Sequence, residues 1–248
     1  TKISVGPPFY NIIIIPAIIP FLIFMALAPK VSWIKNNFKN LVLLINFGAL
    51  AIIINFLITY FFRSYSIITN FIIISSLFLI LHTSLDFINF FRKKSTFDLS
   101  RILSHLGFGL LIFFIGINHN FSTDKDFNLK KGEKKIFENY IVNFKSLEIE
   151  ERKNYKAIVG MFKITNIKKS LNETLSPEIR IYSNPETLTY EASIVTKLNH
   201  DLYLTMSNIN RSEFYNIKFQ KKPFMIWIWL SAIMISLGGF IRIFKNEN

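Results

Sequence analysis

The stretch RILSHLGFGLLIFFIGINHNFSTDKD, Arg101 to Asp126, decides the fold. From Ile102 to Asn118 it is almost wholly apolar, and then it turns polar and charged within a few residues. A helix of about 17–25 apolar residues crosses the ~30 Å hydrocarbon layer of a bilayer. A run that ends in Asn, His, Ser, Thr, Asp and Lys is leaving that layer. Outward from it, four more runs have the same character: Tyr10–Ala28, Asn40–Phe62, Ser66–Phe91 and Pro223–Ile243. The sequence therefore predicts an α-helical polytopic membrane protein with five spans. Pro16 and Pro20 interrupt the hydrogen-bond ladder of the first span and predict a kink there. Composition agrees, since 51% of the 248 residues are hydrophobic and the mean hydropathy is +0.35, values that soluble domains rarely reach.

The net charge of +13 is arranged around the spans, so membrane topology explains it and nucleic acid is excluded as a partner. Lys30, Lys35, Lys39, Arg92, Lys93, Lys94, Arg101, Arg242 and Lys245 fall on one side, against Lys2 and Arg63 on the other. The positive-inside rule then places the C-terminus inside and the long insert outside. With no cysteine in the chain there is no disulfide and no thiolate ligand, and any thiol chemistry belongs to a partner. The chain begins at Thr1 without a short cleavable signal, and is read as a portion of a longer protein or the product of a split gene.

The organisation read from these runs is a four-span region (1–118), an extracytoplasmic β-rich domain (119–222), and a final span with a short tail (223–248). Within the insert, Tyr140–Ile149, Tyr155–Ile164, Glu178–Tyr182, Tyr190–Val195, Leu202–Met206 and Phe214–Phe219 alternate apolar with polar. Turn residues separate them: Gly132, Asn139, Asn166–Ser170, Ser183–Pro185 and Asn208–Ser212. Period two with this punctuation predicts an antiparallel β-domain.

Four histidines are the candidates for chemistry. His105 lies about one turn inside the fourth span, where an imidazole faces a bundle interior, a cavity or a cofactor. Gly107 and Gly109 beside it remove bulk, which admits a flat ligand or a neighbouring helix. A histidine bonded to an adjacent helix is the plainer alternative. His82 and Asp86 stand four residues apart on one face of the third span, a spacing that suits an internal polar pair. His119 reads as an interfacial residue and His200 as part of a solvated strand edge. Trp227 and Trp229, after Lys221-Lys222-Pro223, read as an aromatic belt. There is no HExxH, no phosphate-cradling loop and no Ser/His/Asp set. A transporter fits poorly, because Asp86 is the sole acid within the spans.

The order of short motifs resembles the C-terminal part of CcmF, the membrane subunit of the system I cytochrome c heme lyase, over nearly the whole chain. The carriers are Lys2-Ile-Ser-Val-Gly-Pro-Pro-Phe-Tyr-Asn11, Ser104-His105-Leu-Gly107, Phe121-Ser-Thr-Asp-Lys-Asp126 and Leu129-Lys-Lys-Gly132. They continue with Asn154-Tyr155, Glu178-Ile-Arg-Ile-Tyr182, Glu191-Ala192, Asp201-Leu-Tyr203, Lys222-Pro223-Phe224, Trp227-Ile-Trp229 and Gly238-Gly239. The resemblance implies an inner-membrane protein with its large domain in the periplasm or mitochondrial intermembrane space. It implies that His105 is an axial ligand to the iron of a b-type heme, which reduces a second heme delivered by the chaperone CcmE. That heme is then joined to the two thiols of a Cys-x-x-Cys-His motif in apocytochrome c. Partners implied in the same way are CcmE, CcmH, apocytochrome c and an N-terminal portion of CcmF. Neutral imidazole suits heme iron.

The family's tryptophan-rich motif, its two extracytoplasmic histidines and its second intramembrane histidine have no counterpart here. His82, His119 and His200 do not fall where those would stand. This chain alone thus lacks a full active site. The alternative function is a non-catalytic membrane scaffold whose β-domain docks cytochrome c assembly partners.

Overall fold

The computed structural model describes residues 7–30, 38–62, 66–93, 99–168, 171–208 and 213–245. Lys2, Lys35, Arg63 and Lys94 of the topology argument, and Lys2 to Gly6 of the opening motif, lie outside the described residues. The chain forms two compact units, one of residues 1–121 with 224–248 and one of Ser122–Pro223.

The first unit is helical. It comprises α1 (Pro7–Leu27), α2 (Phe38–Phe62), α3 (Ile67–Lys93), α4 (Leu99–Phe121) and α5 (Met225–Lys245). Among these, α2 to α5 are long and apolar enough to cross a membrane. In α1 the apolar stretch Ile13–Leu27 is shorter, although the helix has 21 residues and retains Pro16 and Pro20 inside it. Large apolar side chains such as Phe24, Phe56, Phe61 and Phe240 are exposed on the unit's outside. That pattern would be a liability in water and is the ordinary one in lipid. Inside, Leu22 and Ala26 of α1 pack on Leu79 of α3 and Ile112 of α4. A second cluster joins Ala51 of α2, Ile73 and Leu77 of α3 and Ile117 of α4.

The second unit is a sandwich of two antiparallel sheets. One sheet has the order β1 (Thr123–Leu129), β10 (Tyr215–Pro223), β9 (His200–Asn208), β8 (Ser193–Thr196). The other has the order β2 (Lys134–Phe137), β3 (Tyr140–Glu151), β4 (Tyr155–Asn166), β6 (Glu178–Ser183), β7 (Glu186–Glu191), with β5 (Leu171–Leu175) also pairing β4. Alternation supplies the core: Val142 and Phe144 of β3, Phe162 and Ile164 of β4, Leu202, Leu204 and Met206 of β9, and Ile217 and Phe219 of β10 all point inward. The rings of Phe144 and Phe162 stack at 4.4 Å in the middle. A bulge between Phe144 and Ser146 shifts the register of β3, so that Leu147 again faces the core. Gly132, at φ +88°, makes the turn between β1 and β2 in a conformation other residues resist.

Two differences from the sequence reading concern strands. The run Tyr190–Val195 is not one strand: it breaks at Ala192, where the chain passes from β7 in one sheet to β8 in the other. Strands β1, β2 and β5 were not expected, because their residues are mostly polar and exposed.

Candidate functional site around the fourth helix

Helix α4 packs against both α3 and α5. On the α5 side it presents small residues. The Ser100 hydroxyl donates to the Gly238 carbonyl at 2.7 Å. A Cβ added to Gly238 would stand 2.8 Å from the Ser104 nitrogen, and one added to Gly107 would stand 2.9 Å from Cγ1 of Ile235. On the α3 side, a Cβ at Gly109 would stand 2.9 Å from Cγ1 of Ile80. Small residues allow backbones to approach and are how spanning helices associate without a hydrophobic driving force. Of the two uses open to Gly107 and Gly109, flat ligand or neighbouring helix, the structure has the helix.

His105 is half-buried on a stripe of α4 that continues through Arg101, Phe108 and Ile112. Phe108 meets Phe21 of α1 edge-on at 5.8 Å. Arg101 and Asp86 lie within electrostatic reach of the His105 ring. The carboxylate of Asp86 on α3 pairs with the Lys30 ammonium, which follows α1, and Arg101 Nη2 is 3.7 Å from its other oxygen. The ends of three helices are thereby tied together by charge beside His105, where a low dielectric strengthens each contact.

This arrangement takes Asp86 away from its expected partner. His82, one turn earlier on α3, is 1% exposed. Its ring lies edge-on to Phe47 at 4.9 Å and Phe78 at 4.6 Å. Neither of its nitrogens has a hydrogen-bond partner among the described residues. The i,i+4 pair is therefore not formed, because Lys30 and Arg101 are stronger partners for a carboxylate than a neutral imidazole is. The Lys30–Asp86–Arg101 group was not anticipated. The available signal was Asp86 itself, a lone acid in a span that needs a counter-ion.

The remaining candidates are scattered. His119 is exposed and borders an apolar cavity of about 270 Å³ between Ile14 and Ile18 of α1, Ile72 of α3 and Ile112 of α4. His200 is not on a solvated edge: β9 is an interior strand, and His200 Nε2 lies 3.0 Å from the Tyr140 hydroxyl. Trp227 stacks on Phe114 of α4 at 5.8 Å, and both Trp227 and Trp229 are exposed. Among the described residues no three His, Cys, Asp or Glu side chains gather in a metal-holding group. Of the three histidines of the helical unit, His82 is enclosed by aromatic rings, His119 is exposed near the end of α4, and His105 is half-buried within α4; an imidazole is a donor suited to iron.

Membrane-crossing helices interrupted before the last by an antiparallel sandwich define a class of polytopic membrane protein with an inserted β-domain. Residues 120–223 match the family described as the CcmF C-terminal β-sandwich. Over nearly its whole length the chain is similar to the C-terminal part of CcmF proteins. It is 27% identical to the cytochrome c-type biogenesis protein CcmF of Haemophilus influenzae, with 99% of this chain and 40% of that protein aligned. It is 24% identical to CcmF of Escherichia coli over 98% of this chain and 38% of the relative. The CycK protein of Bradyrhizobium diazoefficiens is 20% identical over 98% of the chain and 39% of its own length. A solved structure described as the cytochrome c heme lyase CcmF superposes with a TM-score of 0.77 at 17% identity, covering 95% of this chain and 40% of that one. The chain thus spans about two fifths of the length of these relatives.

Proposed function

We propose that this chain is the C-terminal part of a cytochrome c heme lyase acting in cytochrome c maturation, and that His105 is an axial ligand of a b-type heme held among its spans. One observation carries the site. In the motif Ser104-His105-Leu-Gly107, Ser104 and Gly107 are occupied by α5, while the His105 imidazole makes no hydrogen bond among the described residues. A neutral imidazole in that position suits iron ligation. The Lys30–Asp86–Arg101 group would hold the ends of α1, α3 and α4 around it and so fix where the ring stands. The heme, when bound, would supply the electron that keeps the incoming heme reduced. The opposite axial ligand and the site of the incoming heme would come from an N-terminal portion, as the resemblance implies. The further partners are the heme chaperone CcmE, CcmH and apocytochrome c, whose thiols are the attachment points. The sandwich lies on the extracytoplasmic side, as the cation bias indicates.

The test is a reduced-minus-oxidised spectrum of this chain co-purified with the N-terminal portion of a related subunit, wild type and His105→Ala. A b-type signal lost in the variant, with the thermal unfolding profile preserved, supports the proposal. A signal that survives the substitution removes His105 from the ligand set. A second reading, a docking scaffold, draws on the sandwich being a compact unit with its own core. Capture of apocytochrome c or CcmH by a well-folded complex that carries no heme would favour it.

A further inference from the structure

A pocket of about 250 Å³ opens at one end of the sandwich, lined by Tyr140, Asn166, Lys168, Lys197, His200 and Lys221 among others. Its floor is built rather than incidental. Tyr140 is 4% exposed, and its hydroxyl meets His200 Nε2 at 3.0 Å. Asn166 bonds the same tyrosine side chain. The rim carries three ammonium groups against two carboxylates: Lys197 pairs with Glu173 at 2.7 Å, Lys221 reaches Glu138 at 3.6 Å, and Lys168 adds a third cation. The balance is positive, the sign that an anion requires.

Strand direction identifies which end this is. Lys221 pairs with Thr123, and His200 with Pro223, so the pocket stands where the chain enters β1 and leaves β10. Met225, the first residue of α5, comes four steps along the chain from Lys221, a reach of at most about 14 Å. Trp227 and Trp229 follow at once on α5, at the level where aromatic residues mark the lipid interface. The opposite end of the sandwich, around Arg152 and Lys153, lies a full strand length away along β3 and β4. The covalent link alone keeps Lys221 within that reach of the first residue of a membrane-crossing helix, whatever the orientation of the sandwich.

We infer that this pocket binds the phosphate of an anionic phospholipid headgroup, with Lys168, Lys197 and Lys221 as its cations and the Tyr140–His200 pair as its floor. The inference does not depend on heme ligation. Two of the lysines already carry a glutamate, so the affinity is modest and the selectivity is for anionic over zwitterionic lipid. Each lysine near a membrane surface contributes about a fivefold preference for acidic lipid.

The experiment uses the full chain purified in detergent. Native mass spectrometry counts bound phosphatidylglycerol and phosphatidylcholine for the wild type, for Lys168→Gln/Lys221→Gln, and for Lys153→Gln at the far end. Equal thermal unfolding midpoints establish that the variants are folded. The expected result is selective retention of phosphatidylglycerol, lost about twentyfold in the double variant and unchanged in Lys153→Gln. Equal retention in all three chains overturns the inference. So does displacement of the lipid by millimolar inorganic phosphate with equal binding of both lipids, which would make the pocket a site for the free ion.

Discussion

The Ser100 hydroxyl on α4 donates to the Gly238 carbonyl on α5 across 138 residues of chain, at 2.7 Å. A helix carbonyl is free to accept this second bond only if the partner helix comes within side-chain reach of its backbone, and Gly238 permits that approach because a Cβ would collide with Ser104. The next residue, Gly239, has nothing within 4 Å of where a Cβ would lie.

That contrast gives a paired prediction. Gly238→Leu forces α4 and α5 apart and destabilises the helical unit by about 1–3 kcal/mol, as overpacking does. Gly239→Leu leaves stability within about 0.5 kcal/mol. Unfolding midpoints of the detergent-purified chain check both, and equal effects at the two positions would refute the packing assignment.

Removing the carboxylate between two cations is costly. Asp86→Asn leaves Lys30 and Arg101 facing each other in a partly desolvated place. We expect a loss of about 2 kcal/mol, below the value for a fully buried pair because both partners keep some contact with solvent. The double variant Lys30→Met/Asp86→Leu should lose less than Asp86→Asn alone. A double-mutant cycle read by unfolding decides it, and strictly additive losses would show that the pair is not coupled.

His82 should behave in the opposite sense. Its two nitrogens are buried without partners among the described residues, each unsatisfied group costing about 1–3 kcal/mol. His82→Leu between Phe47 and Phe78 is therefore neutral or stabilising by about 1 kcal/mol. It should also leave any b-type heme spectrum unchanged. A stability loss of about 2 kcal/mol or more would mean that the imidazole bonds something essential.

Asp201 sets a pH dependence in the sandwich. It is buried, its Oδ1 has no partner among the described residues, and burial raises its carboxyl above the ordinary 3.8 despite a bond from Thr196 and the nearby Lys222. With a folded value above the unfolded one, the folded state holds the proton more tightly. The stabilisation is complete below pH 3.8 and is lost as pH rises through the raised value. Asp201→Asn should accordingly stabilise the protein at pH 7 by about 1 kcal/mol and change nothing at pH 3. Denaturant unfolding at the two pH values checks this; an equal gain at both would assign the effect to packing.

Much of this was legible in one dimension. Helices α2 to α5 need only some twenty apolar residues in a row, a condition local to each segment. Strands β3, β4, β6, β9 and β10 show alternation because both of their sheet neighbours and one buried face constrain them. Strands β1 and β2 lie at sheet edges and carry Asp124, Lys125 and Asp126, or Lys134 and Lys135, so their period is masked by residues that suit an edge. The split at Ala192 was invisible because both halves alternate and only the pairing partners differ.

His105 was found from its residue type and place in a span, and the sequence by itself determined that an imidazole sits about one turn inside the fourth helix. Which neighbours surround it was a tertiary decision. Gly107 and Gly109 read equally well as room for a ligand or for a helix, and only the positions of Ile235 and Ile80 resolve that choice. Asp86 looked like the partner of His82 because four residues is one helical turn, whereas Lys30 stands 56 residues away. Local spacing determines which side chains can meet on one helix. Which of them do meet depends on the competing charges that packing brings from the others, and in a medium poor in water the strongest counter-ion takes the carboxylate.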